Sequence, residues 1–390
     1  MERQKFLLYH PGRPISFPCG VDIQKEPKMS PGEARKSHPF YMYDSVLSQP
    51  EEVAGALAEN KPTSMAAAEV LSKKKKVYLV GIGTSSHAAM GGEYFFRLLC
   101  GSKLDAQFIH SFEFVNAPPK LDKDTAVIIV SHRGWKTFSE RATKMAKEKG
   151  AASISVTGKN PQKEVALGEH VLLTSYQELS SAHTVSYVTA LAVLLQLAEA
   201  AAQKLGLGAK AAEASELLPQ LLKSALALES QAKKLSERLA DRKRFVFISY
   251  GPNLNTALEA ALKMQETTFL LAAGYEVEQF LHGPWVSLGP GAVVFFIAPW
   301  GAGKKRCLQA MNAVKEIGAT AVLLTEEGSV SANVDEVFFL PRMPELLTPP
   351  TYIEPLQFFA YFLALKLGNN PDKNRKDDPL YQKASQAFEL

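Results

Sequence analysis

Three loops of this chain are dense in hydroxyl side chains: Gly83-Thr84-Ser85-Ser86-His87, Ser131-His132-Arg133-Gly134-Trp135-Lys136-Thr137 and Ser180-Ser181-Ala182-His183-Thr184. Small hydroxyls beside the open N–H groups of a helix start suit a phosphate monoester, and Arg133 or Lys136 would add positive charge. Because Ser and Thr also cap helices in any fold, one such loop says little, and it is the convergence of three that points to an anion. A second set lies further along. Glu259, Lys263 and Glu266 are spaced four and three apart, so a helix from Thr256 to Leu270 puts all three on one face. Taken alone that face reads as solvated and laced by ion pairs. It is followed by Glu276, Glu278, Gln279 and the segment Phe280-Leu281-His282-Gly283-Pro284, whose histidine, met alone, reads as structural.

The elements that would position these loops are revealed by an internal repeat. Lys147-Glu148-Lys149-Gly150 followed by AASISVTG recurs as Lys315-Glu316-Ile317-Gly318 followed by ATAVLLTEEG, an offset of 168 residues between the glycines. VYLVGIG ending at Gly83 and FVFISYG ending at Gly251 keep the same offset, and Gly134 and Gly301 close a third matched pair. Each copy alternates short Val/Ile/Leu/Phe runs with longer helical stretches, the pattern of a parallel sheet covered on both faces. Strands are expected at about 77–82, 126–131, 152–157 and 170–174, and again at 245–250, 292–297, 320–325 and 336–340. The fold expected is therefore α/β, two tandem parallel-sheet αβα sandwiches of flavodoxin-like kind. The divisions are an extended, proline-rich arm at 1–38, a first domain at 39–205, a helical connector at 206–240, a second domain at 241–370 and a tail at 371–390. Helices are expected over 41–59, with Gln49-Pro50-Glu51-Glu52 as a helix start, and over 211–239. In an open parallel sheet ligands bind beyond the carboxyl ends of the strands, where the hydroxyl loops fall. The matching loops of copy two, Gly251-Pro252-Asn253 and Ala298-Pro299-Trp300-Gly301, lack hydroxyls, so copy one is specialised for the anion.

Composition removes other classes. With 390 residues and 46% hydrophobic residues the chain has material for about two to three domains. A net charge of +4 is too small for a broadly basic nucleic-acid face, and the run Lys73 to Lys76 reads as a solvated lead-in to a strand. Cys19, Cys100 and Cys307 are scattered, odd in number and outside any CxxC spacing, which opposes a disulfide framework and a zinc site. A reducing cytoplasm is expected. The apolar stretch from Val185 to Ala202 is broken by Ser186, Thr189, Gln196 and Glu199, so no membrane span is expected, and the N-terminus carries no export signal. No GxGxxG, no GxxxxGKS and no metal-ligand spacing appears, so no cofactor and no metal are expected.

Gly81-Ile82-Gly83-Thr84-Ser85-Ser86-His87, Leu258-Glu259-Ala260-Ala261-Leu262-Lys263-Met264-Gln265-Glu266 and His282-Gly283-Pro284, in that order, resemble the SIS (sugar isomerase) family in its double-domain form. That family includes the isomerase half of glutamine:fructose-6-phosphate aminotransferase, amino-sugar-phosphate deaminases and fructosamine-6-phosphate deglycases, and the likeness spans about 40–370. It implies sugar-phosphate contacts by Gly83, Thr84, Ser85, Ser131, His132 and Thr184, with Arg133 and Thr137 in the altered second loop. It makes Glu266 the base for proton transfer between C1 and C2 of an open-chain sugar, with Lys263 orienting it or binding substrate. His282 would assist ring opening, often from a neighbouring subunit, so a homodimer is implied. Relatives usually read SxSGxT in the second loop; here Arg133 replaces a serine and the threonine falls one position later. Lys383 would match the family's C-terminal Schiff-base lysine. No glutaminase segment precedes the first repeat, so the expectation is aldose–ketose isomerisation or deamination of a hexose or hexosamine 6-phosphate without glutamine hydrolysis. The competing expectation is a non-catalytic phosphosugar-binding regulator.

Overall fold

The computed structural model describes residues 35–161, 165–208, 213–328 and 333–388, and in it both copies of the repeat form five-stranded, all-parallel sheets. The first is built from β1 (Lys76–Gly81), β2 (Asp105–His110), β3 (Thr125–Ser131), β4 (Ala152–Lys159) and β5 (His170–Tyr176), in the order β2-β1-β3-β4-β5. The second holds β6 (Arg244–Ser249), β7 (Ala272–Glu276), β8 (Ala292–Ile297), β9 (Thr320–Glu326) and β10 (Glu336–Leu340), in the order β10-β9-β8-β6-β7. Counted within each copy, both follow the 2-1-3-4-5 order of flavodoxin-like sheets, whose ligand crevice lies between the first and third strands.

The sequence reads four strands per copy, and the structure corrects this to five. The additions, β2 and β7, are edge strands. Asp105–His110 alternates exposed and buried residues at its start, and Ala272–Glu276 is mostly half-buried, so neither shows the continuous apolar run that marks a strand covered on both sides. β3 and β8, by contrast, are buried throughout. The expected helix over 41–59 is split at Ser48 into Tyr41–Leu47 and Gln49–Leu71. Pro50 sits in the first turn, where no N–H is needed, and Glu51 and Glu52 face the positive end of the dipole. Residues 1–34, most of the expected arm, and with them Cys19, lie outside the described residues.

The Val185–Lys204 helix is long and apolar enough to cross a membrane, but here its residues fill the first core, packed between Gln49–Leu71 and Thr84–Cys100. The Lys73 to Lys76 run joins a helix to β1 with its charges at the surface, paired to Glu69, Asp124 and Asp105. Cys100 and Cys307 are buried free thiols, each pushed up to about 12 by burial, with the Glu276 charge adding at Cys307.

The copies join through helices. Leu254–Thr268 of copy two packs against Thr84–Cys100 of copy one and against Glu354–Lys366. Its other flank lies on β7, where Gly274 approaches so closely that a Cβ would stand 2.7 Å from the Ala257 carbonyl oxygen. A backbone atom cannot swing aside as a side chain can, so Gly274→Ala should destabilise the chain by about 1–3 kcal/mol and displace this helix. Urea unfolding checks this; an unchanged midpoint would mean the strand moves away freely.

The C-terminal segment also ties elements together. Asp372 accepts from the Tyr41 and Met42 N–H groups at 2.9 Å, and its own carbonyl accepts from Ser181 N at 2.8 Å.

Candidate active site

Gly83 ends the turn after β1 with φ +60, a backbone state that favours glycine, and so lets Thr84–Cys100 start directly over the sheet edge. Thr84 opens that helix. Its hydroxyl donates to Glu259 Oε1 at 3.1 Å and accepts from Lys263 Nζ at 3.3 Å, while His87 Nδ1 lies 2.7 Å from Glu259 Oε2. The face carrying Glu259, Lys263 and Glu266 is therefore not a solvated one. Glu259 and Lys263 side chains are 0% exposed and Glu266 is 22% exposed. Lys263 bridges both carboxylates, 3.3 Å from Glu259 Oε1 and hydrogen-bonded to Glu266 Oε2.

Burial pushes all three groups toward neutrality, and their partners decide the outcome. For Glu259 the burial effect is outweighed by Lys263, His87 and Thr84, which hold the carboxyl below the usual range. For Lys263 burial lowers the pKa, but Glu266 and Glu259 raise it further, so it stays charged. Glu266 differs: burial, with the like charges of Glu259 and Glu178, outweighs Lys263 and leaves this carboxyl raised. One carboxylate is thus fixed in its ionised form and its neighbour is poised to exchange a proton, an arrangement suited to general acid–base work.

Next to this cluster, at the carboxyl ends of the first sheet, a pocket is lined by Thr84, Ser85, His132, Thr174, His183 and Ser186 among others. Its free space is about 10 Å3, room for one water-sized group. The His132 and His183 rings meet edge-on with centroids 5.2 Å apart, and Arg133 Nη2 lies 3.3 Å from His183 Nε2. Burial pushes His132 down to about 3, the Arg133 charge adding to it, and likewise holds His183 well below its usual value. A larger cleft of about 450 Å3 lies against Trp300, Gly301 and Arg342 to Glu345 and shares no residue with the cluster.

The structure brings Gly83, Thr84, Ser85, Ser131, His132, Arg133, Lys263 and Glu266 to one end of the first sheet. Thr184 lies behind the same pocket, bonded to Glu178 beside His132 and His183, while Thr137, His282 and Lys383 fall elsewhere. Thr137 is the first residue of the Thr137–Glu148 helix, half-buried. Thr184 is fully buried and gives its hydroxyl and N–H to Glu178. His282 is 77% exposed and faces Glu278 at 3.7 Å, and Lys383 lies exposed on the Pro379–Ser385 helix. The tail lysine that does reach the site is Lys376: its Nζ donates to Ser181 Oγ at 2.8 Å. Burial lowers its pKa, and the charges of Arg133 and Glu266 both act on it. Sequence reasoning also passed over Glu178, a buried acid accepting from Thr184 and Ser186 N–H, and gave no role to Glu259, whose i,i+4 relation to Lys263 was the signal.

The SIS domain profile matches this chain twice, at residues 70–200 and 238–367. A glutamine–fructose-6-phosphate aminotransferase [isomerizing] of Thermococcus kodakarensis is 30% identical over 351 residues, covering 87% of this chain and 58% of that protein. Its counterpart in Pyrococcus horikoshii is 29% identical, covering 86% and 56%. The chain thus spans a little over half the length of these relatives. Among solved structures, the C-terminal domain of glucosamine-fructose-6-phosphate aminotransferase from Francisella tularensis gives a TM-score of 0.79 at 20% identity, over 87% of this chain and 99% of that one. Tagatose-6-phosphate ketose/aldose isomerase from Escherichia coli gives 0.73 at 19%, over 87% and 96%, and glucosamine-6-phosphate deaminase from Thermotoga maritima 0.68 at 19%, over 85% and 97%. At these identities the likeness is one of fold.

Proposed function

The chain belongs to the SIS family, and from that membership we propose that it is a phosphosugar isomerase or deaminase acting on a hexose or hexosamine 6-phosphate. The observation that carries the reading is Glu266, a carboxyl raised by burial, joined to a buried ammonium and placed beside the hydroxyl loop. In the proposed reaction Glu266 takes the proton from the carbon next to the open-chain carbonyl and returns it to the neighbouring carbon. Lys263 holds that carboxylate in place and offsets its charge. The Gly83 to Ser85 turn, at the start of a 17-residue helix, supplies N–H groups and hydroxyls to the phosphate, and Arg133 and Lys376 add positive charge. A hexose phosphate exceeds the present free space of about 10 Å3, so its binding requires the pocket to open.

The reading includes a homodimer in which His282 of one copy serves ring opening in another; its exposure here, away from Glu266, fits a role in trans. A raised carboxyl joined to a buried lysine favours catalysis over a purely regulatory role. The test is NMR in D2O with glucosamine, galactosamine, fructose, glucose and fructoselysine 6-phosphates. Deuterium entry at C1 or C2 is expected, with released ammonia or amine marking a deaminase or deglycase and its lack an isomerase. Binding of a phosphosugar with no deuterium entry for any of them would sink the enzyme reading in favour of a sensor.

A further inference from the structure

We propose that His132, Glu178 and His183 form a binding site for a first-row divalent cation, with Zn2+ best matched to the donor set, at the floor of the first-domain pocket. Each residue offers one ligand atom, and these atoms all lie within 4.8 Å of one another. Ligands around a tetrahedral Zn2+ stand about 3.3 Å apart, so closing on an ion takes movements of about 1 Å. Two imidazoles and a carboxylate form a donor set used for zinc and other first-row metals, and its open positions would face the pocket.

The hydrogen bonding around His132 points the same way. Thr174 gives its hydroxyl proton to the Thr157 carbonyl at 3.2 Å, so towards His132 Nδ1, also at 3.2 Å, its oxygen accepts. In this arrangement the proton sits on Nδ1 and Nε2 carries the lone pair; the other arrangement, with Thr174 donating to Nδ1, is equally long at 3.2 Å and would be set aside when an ion binds at Nε2. His132 is only 8% exposed, and Nε2 has no hydrogen-bond partner. A metal-ligating imidazole is oriented in this manner, one nitrogen held by the protein and the other free for the ion. Glu178 takes four hydrogen bonds, from Thr184 N to both oxygens, from Thr184 Oγ1 and from Ser186 N, so an ion would take the place of one of the two longer ones, at 3.2 Å on Oε1 or 3.3 Å on Oε2. The free space of about 10 Å3 suits a single small occupant.

Arg133 is the built-in competitor. Its guanidinium donates to His183 Nε2, so an entering cation displaces it and frees it towards the pocket mouth. No sequence motif marks the site because its ligands arrive from two separate loops with no short spacing between all three. None of Glu259, Lys263 or Glu266 is a ligand, although the Glu178 charge acts on Glu266 and the pocket is shared with the proposed sugar-phosphate site.

The experiment is a Co2+ titration of chelator-stripped full-length protein, read by visible absorption, with X-ray absorption at the cobalt edge on the loaded wild type. Saturable binding of one ion per chain with imidazole scattering is expected, weakened by about tenfold or more in His132→Ala, His183→Ala and Glu178→Gln. Circular dichroism identifies any variant that does not fold, and the wild-type absorption edge decides without them. No saturable binding, no imidazole ligation, or folded variants that bind as tightly as wild type would overturn the site. No sugar phosphate is present in this titration, so its result and that of the deuterium assay stand or fall separately.

Discussion

Glu266→Gln should slow deuterium entry into a bound sugar phosphate by about 10²–10⁴-fold while leaving the ligand's affinity nearly unchanged. The amide keeps the shape and a hydrogen-bonding oxygen for Lys263 but has no basic lone pair, so the loss is confined to the proton-transfer step. In the wild type the base must be unprotonated to act, and burial raises its pKa. The rate should therefore climb with pH through a value above the ordinary carboxylate range, and that acid limb should vanish from the residual activity of the variant. A loss below tenfold, or an acid limb at the value of a free glutamate, would transfer the role of base to another group.

Lys263→Met should cost about 3–5 kcal/mol of stability at pH 7, because it leaves two carboxylates buried without their cation. The pH dependence gives the sharper test. In the wild type Glu259 has a lowered pKa, so it contributes stability above its unfolded pKa that is lost as pH falls through the folded one. Without Lys263 the sign reverses at this site: burial and the neighbouring carboxyls favour the protonated form, which the folded variant then binds more readily than the unfolded chain. The gap between the two proteins should accordingly narrow on going from pH 7 to pH 5. Urea melts at both values check it, and a gap that is constant or below 1 kcal/mol would mean that water or a rotated side chain already compensates the charge.

Much of this was legible in residue order. The 168-residue offset announced two like sheets, and the unbroken apolar runs at β3 and β8 marked strands covered on both faces. β2 and β7 escaped because an edge strand needs only half its residues apolar. The four-and-three spacing placed Glu259, Lys263 and Glu266 on one face, but a spacing does not say whether that face meets water or another helix. Here it meets Thr84 and His87, and burial turns an ordinary ion-pair ladder into a desolvated cluster whose two carboxyls are shifted in opposite directions. Glu178 and His183 stood a loop apart from their partners and carried no local signal. Lys383 was matched by its place near the chain's end, whereas Asp372, anchored to the Tyr41 and Met42 backbone, sets the tail's path and delivers Lys376 instead.

The repeat makes this chain equivalent to a pair of like subunits fused end to end, and a symmetric pair would own two sites related by its pseudo-twofold axis. Carrying Glu259, Lys263 and Glu266 back by the 168-residue offset lands on Gly91, Phe95 and Leu98, which have no proton to trade. The equivalent end of the second sheet is also furnished differently: Tyr250 donates to the Pro299 carbonyl at 2.5 Å, and Lys304 and Glu326 form a buried ion pair there. The two halves of the duplication have divided one site between them, copy one bringing the hydroxyl loops and copy two the Glu259–Lys263–Glu266 cluster, so a calorimetric titration should count one sugar phosphate per polypeptide, not two.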